Sequence, residues 1–254
     1  MTFGYSPIWM DRLARAGDDA RRSWRLRRLA LDLGLTDIKL RYRGSALGPF
    51  WLTLSTAVMV GSLGWLYGAL FGMASAEYLP YLAMSQVLWA HVAAIVADAC
   101  QCFVEAGRAV LSTRLPLGVF ALRIAARNAL ALAHNAPVAA AALIAFPRPM
   151  GWDALSVVPA LGLWWIDAAA LSLALGALCA RFRDVPPIAA SVMQVAFFLT
   201  PVVWRPEQLG PAAAWLAFNP FHGMLAIIRA PLLGDPFPWA AWAEALAHSA
   251  ALWA

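Results

Sequence analysis

From Pro49 to Phe71 the chain runs 23 residues without one charged side chain. At 1.5 Å per residue a helix of that length crosses about 30 Å of hydrocarbon with room for tilt. Five further apolar runs follow, at about 78–104, 119–146, 154–180, 185–204 and 237–254. They are apolar all round rather than alternating, which excludes a membrane β-barrel with a polar lumen. Hydrophobic residues make up 62% of the chain and charged residues 13%, where a water-facing surface calls for about 25% charged. A soluble enzyme, a disordered tail and a small disulfide scaffold are excluded on that balance. The expected fold is an all-α integral membrane protein with six spans.

The stretch 205–235 breaks the pattern. Its two apolar pieces, Leu209–Phe218 and Met224–Leu233, are split by Asn219-Pro220 and punctuated by Pro206, Pro211 and Pro231. Each piece is about ten residues, too short to cross a bilayer alone. The reading is a re-entrant helix pair whose broken backbone is hidden against protein; a single kinked span is the alternative.

Residues 1–48 form a separate basic segment. Between Arg21 and Arg43, Leu31, Leu35, Ile38 and Tyr42 recur at helical spacing while Arg and Lys crowd the remaining surface. That is the pattern of an amphipathic helix lying in the membrane interface. No apolar signal-peptide core is visible here, so the first span is expected to act as an uncleaved insertion signal. Ten of the 19 Lys and Arg lie in this segment, four in 105–127 and two in 181–184; only Arg148, Arg205 and Arg229 fall on the other side of the spans. The excess places the N-terminus and the 105–118 and 181–184 loops in the cytoplasm, and six spans return the C-terminus there.

Several chemistries are missing. There is no G-x-x-x-x-G-K-[ST] phosphate loop, so the chain is not expected to hydrolyse ATP or to bind ATP and Mg itself. There is no H-E-x-x-H, and Gly44-Ser45-Ala46-Leu47-Gly48 has its serine in the wrong place for a nucleophile elbow. No pair of carboxylates sits at helical spacing within a span. Cys100, Cys102 and Cys179 have neither disulfide nor zinc spacing and read as small apolar residues. No catalytic residue, metal site or nucleic-acid partner is expected. His91, Asp98, His134 and Asp167 lie inside apolar runs, where ionisable groups are costly and need partners; the sequence names no partner for Asp167.

Two segments carry a resemblance. One is Asp37-Ile-Lys-Leu-Arg-Tyr-Arg-Gly-Ser-Ala-Leu-Gly-Pro-Phe-Trp51, leading into the first span. The other is Ala180-Arg-Phe-Arg-Asp-Val-Pro-Pro187 with Phe197-Phe-Leu-Thr-Pro-Val-Val-Trp204 and Asn219-Pro-Phe221. Together they resemble the membrane subunit of type-2 ABC exporters of polysaccharides (O-antigen, capsule and teichoic acid), nearest the O-antigen branch, over about residues 25–254. The resemblance implies a permease in the bacterial inner membrane that works as a homodimer with two separate ABC ATPase subunits and moves a lipid-linked polysaccharide. It assigns coupling to the ATPase to Glu105, Arg108, Arg114, Arg181, Phe182, Arg183 and Asp184, with Asp184 also placed to cap the helix that opens on Pro186 and Pro187. It makes Lys39, Arg41, Tyr42 and Arg43 the end of a gate helix, with Arg41 and Arg43 facing a lipid phosphate or ordinary anionic headgroups. Trp51, Phe197, Phe198 and Trp204 become conduit-lining aromatics, and Asn219 and Pro220 the re-entrant gate. In the family the sixth span is followed by a basic tail, where this chain has 237–254 as its last run. An exporter of drugs or small lipids, a secondary transporter and an enzyme of lipid-linked glycan synthesis are the competing classes. The gate-helix motif, the absence of internal repeats and the absence of an acid–base constellation speak against these in turn.

Overall fold

The computed structural model describes residues 8–45, 47–48, 50–107 and 115–253. Its centre is α4, Ser75–Glu105, half of whose apolar window is buried. Around it stand α3 (Phe50–Phe71), α5 (Leu117–Ala145) and α6 (Val157–Arg181, entered through a 3-10 turn at Trp152–Ser156). Two N-terminal helices, α1 (Ile8–Arg25) and α2 (Arg27–Arg41), lie against α5. After α6 come α7 (Val185–Leu199), a 3-10 helix (Pro206–Phe218), α8 (Pro220–Leu233) and α9 (Trp239–Trp253). All regular structure among the described residues is helical. The chain is a multi-pass membrane protein, helical in its described residues.

Among the described residues, four helices are long and apolar enough to cross a membrane, or five if the bent pair between Pro206 and Leu233 counts as one span. The difference from six lies at the C-terminal end. The run 185–204 is helical only to Leu199, and Thr200–Trp204 leaves the helix; α7 and α9 have 15 residues each. A helix of that length rises about 22 Å, short of a bilayer's hydrocarbon. The 3-10 helix and α8 meet at 113°. Asn219 makes the corner: its side chain accepts from the Phe221 amide at 3.0 Å, and its Nδ2 donates to the Leu199 carbonyl and to Thr200 Oγ1.

The core forms where α4 meets α6, α8 and the Thr200–Trp204 segment, with Tyr78, Leu82, Leu225 and Val202 inaccessible to solvent. The Tyr78 hydroxyl donates to the Val203 carbonyl at 2.6 Å, and the Tyr81 hydroxyl reaches the Pro201 and Trp204 carbonyls at 2.8 and 3.0 Å. Two tyrosines thus satisfy the backbone that the end of α7 exposes, as a buried non-helical stretch requires. Pro80, inside α4, removes the amide that would bond the Ala76 carbonyl; Arg148 donates to that carbonyl at 3.2 Å and to Glu77 O at 3.0 Å. Arg205 closes the same end with an ion pair to Glu77 at 2.6 Å.

The N-terminal segment departs from one amphipathic helix over Arg21–Arg43. The helix breaks at Leu26, and α2 ends at Arg41. Its inward face is Ala30, Gly34 and Ile38, while Leu31 and Leu35 stay exposed. At Gly34 a Cβ would lie 3.1–3.2 Å from Arg123 O, Ala126 Cβ and Arg127 N. The small face lets α2 touch the α5 backbone, and the leucines are left outward.

Candidate functional site

The end of the bundle that carries α1 and α2 also carries the end of α4, the start of α5 and the α6–α7 turn. A closed ionic network occupies it. On α2, Asp37 takes a bidentate pair from Arg123 of α5, with Nε and Nη2 each 2.6 Å from a carboxylate oxygen. One turn on, Arg127 donates from Nε to Asp98 of α4 at 3.0 Å. Its other nitrogens lie 2.9 Å from Asp98, 3.6 Å from Asp37 and 3.7 Å from Glu105. Asn128 adds a bond to Asp98 at 2.8 Å. Arg41, near the end of α2, lies 3.8 Å from Asp98.

Three arginines therefore face three carboxylates. Arg127 is the buried hub, with a side chain 6% exposed, and Arg41 is half exposed. The spacing explains the convergence. Arg123 and Arg127 are four apart on α5, Asp37 and Arg41 four apart on α2, and Asp98 and Glu105 seven apart on α4, so each pair shares one helix face. Such a network pays for desolvation with pairing and fixes three helices in one register.

Between α2, α3, α4 and α5 the network borders a mostly apolar chamber of about 190 Å³, whose polar lining includes Arg41, Tyr42, Thr56, His91, Arg127 and Asn135. Burial pushes the Tyr42 hydroxyl above its ordinary pKa, and the Arg41 charge opposes that shift. Thr56 bonds Asn135 at 3.2 Å, and the Thr53 hydroxyl donates to the His134 carbonyl, which ties α3 to α5.

Of the gate-helix residues, Lys39, Arg41 and Arg43 are exposed and Tyr42 is half-buried. Of the coupling residues, Glu105 joins the network, and Arg108 and Arg114 lie outside the described residues. Arg181, Phe182, Arg183 and Asp184 form an exposed turn, with the Arg181 guanidinium 5.4 Å from the Phe182 ring centroid. Asp184 does stand at the N-cap position of α7, but its side chain makes no capping hydrogen bond. Its backbone is already in the helical region (φ −83°, ψ −16°), whereas a capping side chain needs an extended N-cap residue. The four aromatics divide. Trp51 and Phe198 are exposed; Phe197 turns inward onto Trp89 at 5.8 Å, and Trp204 packs on the core with its Nε1 donating to the Phe198 carbonyl.

The isolated ionisable residues also find places. Asp167 accepts from Ser249 of α9 at 2.6 Å and is also hydrogen-bonded by Trp253, partners the sequence did not name. His91 stacks on Trp164 at 5.6 Å, and His134 turns back to the Leu130 carbonyl. Cys100, Cys102 and Cys179 are buried and free. Sequence reasoning missed Arg229 as a structural centre. Buried at the other end of the bundle, it donates to Ser85 Oγ at 2.9 Å and to Pro201 O at 2.6 Å, under the Tyr81 ring at 4.4 Å. Among the described residues no carboxylate pairs with it, so carbonyl dipoles and a π face carry its charge.

No protein-family model matches the chain. It is similar to the O-antigen export system permease protein RfbA of Myxococcus xanthus, with 22% identity over 217 residues that cover 83% of this chain and 82% of the relative.

Proposed function

We propose that this chain is the membrane-spanning half of an ATP-driven exporter that moves a lipid-linked polysaccharide of O-antigen type across the bacterial inner membrane. It works as a homodimer with two separate ATP-binding subunits, which hold ATP and Mg, and its N-terminus is cytoplasmic. The observation that carries the reading is the likeness to an O-antigen export permease over most of both chains. The chemistry at the α1–α2 end supports it. Arg41 is half exposed and 3.8 Å from Asp98, loosely enough held to exchange that carboxylate for a lipid phosphate without stripping Arg127 of its partners. The exposed turn 181–184 presents two arginines and the Phe182 ring, a surface suited to an acidic, partly apolar groove on an ATPase. Glu105 belongs to the same end and, through Arg127, reaches α2.

The exposed Trp51 and Phe198 offer faces on which sugar rings slide without fixed hydroxyl contacts, and Asn219 with Pro220 closes the opposite end. The test replaces Arg181 and Arg183 together by alanine in the complex with the ATP-binding subunit. Insertion should persist while substrate-stimulated ATP hydrolysis and export fall severalfold. Wild-type coupling in that variant would remove the turn from the mechanism.

A further inference from the structure

Asp19 of α1 accepts hydrogen bonds from the first two backbone amides of α5: Leu117 N to Oδ1 at 2.9 Å and Gly118 N to Oδ2 at 2.9 Å. A helix start leaves these amides without intrahelical partners, and the residue at the N-cap position, Pro116, has no side-chain group to offer them. The cap comes instead from a carboxylate 98 residues earlier in the chain, where its charge also suits the positive end of the helix dipole. Ser23 Oγ donates to the same carboxylate at 3.4 Å. The approach depends on Gly118, where a Cβ would lie 2.5 Å from Ser23 Oγ and 2.9 Å from Ser23 Cβ.

The other flank of the same stretch of α5 is held by α2, through Gly34 on the backbone from Arg123 to Arg127 and Asp37 on Arg123. Two consecutive helices thus clasp roughly the first three turns of α5 from two sides. We infer that Asp19 is a positioning residue: it pins α1 to the start of α5, so that α1, α2 and that end of α5 move as one body and any displacement of Leu117 and Gly118 is delivered to Arg41 and Tyr42. The inference rests on the exporter reading for what drives the displacement, and stands apart from it for the pin itself.

The pin is tested first in the purified full-length chain in nanodiscs, by hydrogen exchange of Asp19→Ala. Loss of two charge-assisted bonds should speed exchange at Leu117 and Gly118 roughly tenfold or more, and exchange across α2 should rise with it. Asp19→Asn keeps one acceptor oxygen and should fall between; it also carries the test if the alanine variant does not fold. Unchanged exchange at 117–118, or a rise there with α2 unaffected, overturns the single body. In the complex with the ATP-binding subunit, Asp19→Ala should keep basal ATP hydrolysis and lose most of its response to lipid-linked glycan, with Asp19→Asn partly restoring it. Full glycan response in the alanine variant overturns the transmission role. Failure to form any ATPase complex, with the exchange result intact, would instead remove the exporter reading and leave the pin.

Discussion

Among the described residues, replacing Asp37 by alanine removes the only carboxylate that grips Arg123 bidentately and one of three that serve Arg127. Six charged groups that balance become five, with one positive charge left over. Asp37 is 13% exposed, Arg123 23% and Arg127 6%. Breaking a buried pair from one side costs about 3–5 kcal/mol, because the surviving charge stays desolvated. Water reaches part of Arg123, so the lower end applies, about 3 kcal/mol. For a chain of this size that corresponds to roughly 6–12 °C of melting temperature. The assay is thermal unfolding of the purified protein in nanodiscs, followed by tryptophan fluorescence. The informative comparison is Asp37→Leu combined with Arg123→Met, which removes both charges and fills the space; such replacements are often neutral. The single variant should lose several degrees and the double variant regain most of them. A single variant within about a degree of wild type, or a double variant no better than the single, would refute the view that desolvated charge holds α2 to α5.

Three other expectations follow from the geometry. Gly34→Leu drives a side chain into the α5 backbone and should cost about 1–3 kcal/mol while increasing protease cleavage between α1 and α2; an unchanged cleavage pattern would contradict the close approach. Tyr81→Phe deletes the hydroxyl that reaches Pro201 and Trp204; Arg229 still serves the Pro201 carbonyl, so the loss falls on that of Trp204 and should cost about 1 kcal/mol, with exchange rising at 200–205; Arg229→Met should loosen the same segment further. Ser249→Ala removes one of the two side-chain donors to Asp167, Trp253 being the other, and should lower the melting temperature by the equivalent of about 1 kcal/mol; combining it with Trp253→Phe should cost more, and a double variant as stable as wild type would contradict the need for these donors.

The sequence made the membrane class and the helical content legible because hydrocarbon leaves the backbone few options and uncharged runs of 20 residues have few other uses. Asn219-Pro220 marked the bend because proline opens a helix and asparagine caps one. Helix lengths were less legible at Thr200–Trp204. That run is apolar and reads as span, yet its backbone leaves the helix because Tyr78, Tyr81 and Arg229, each distant in sequence, satisfy it from outside. The ionic network was legible only in part. Arg123 and Arg127 were visible as basic residues and Asp98 as a costly one, but which helix faced which was not, so a partnership of α2, α4 and α5 could not be read. Leu31 and Leu35 read as the apolar face of α2 and do stay exposed, but the face that packs on α5 was not legible, because close approach at the small residues Ala30 and Gly34 leaves no strong hydrophobic signal. Asp19 has no local signature at all, since the helix it caps begins 98 residues later.

The most direct test of the central claim is ATP hydrolysis by proteoliposomes holding this chain together with its candidate ATP-binding subunit, measured with and without lipid-linked glycan. The account predicts a stable complex in which hydrolysis requires both subunits and rises when lipid-linked glycan is added. A complex that responds to small amphiphiles and not to glycan would contradict the polymer assignment. No complex, with transport persisting in the chain alone, would contradict the exporter mechanism itself.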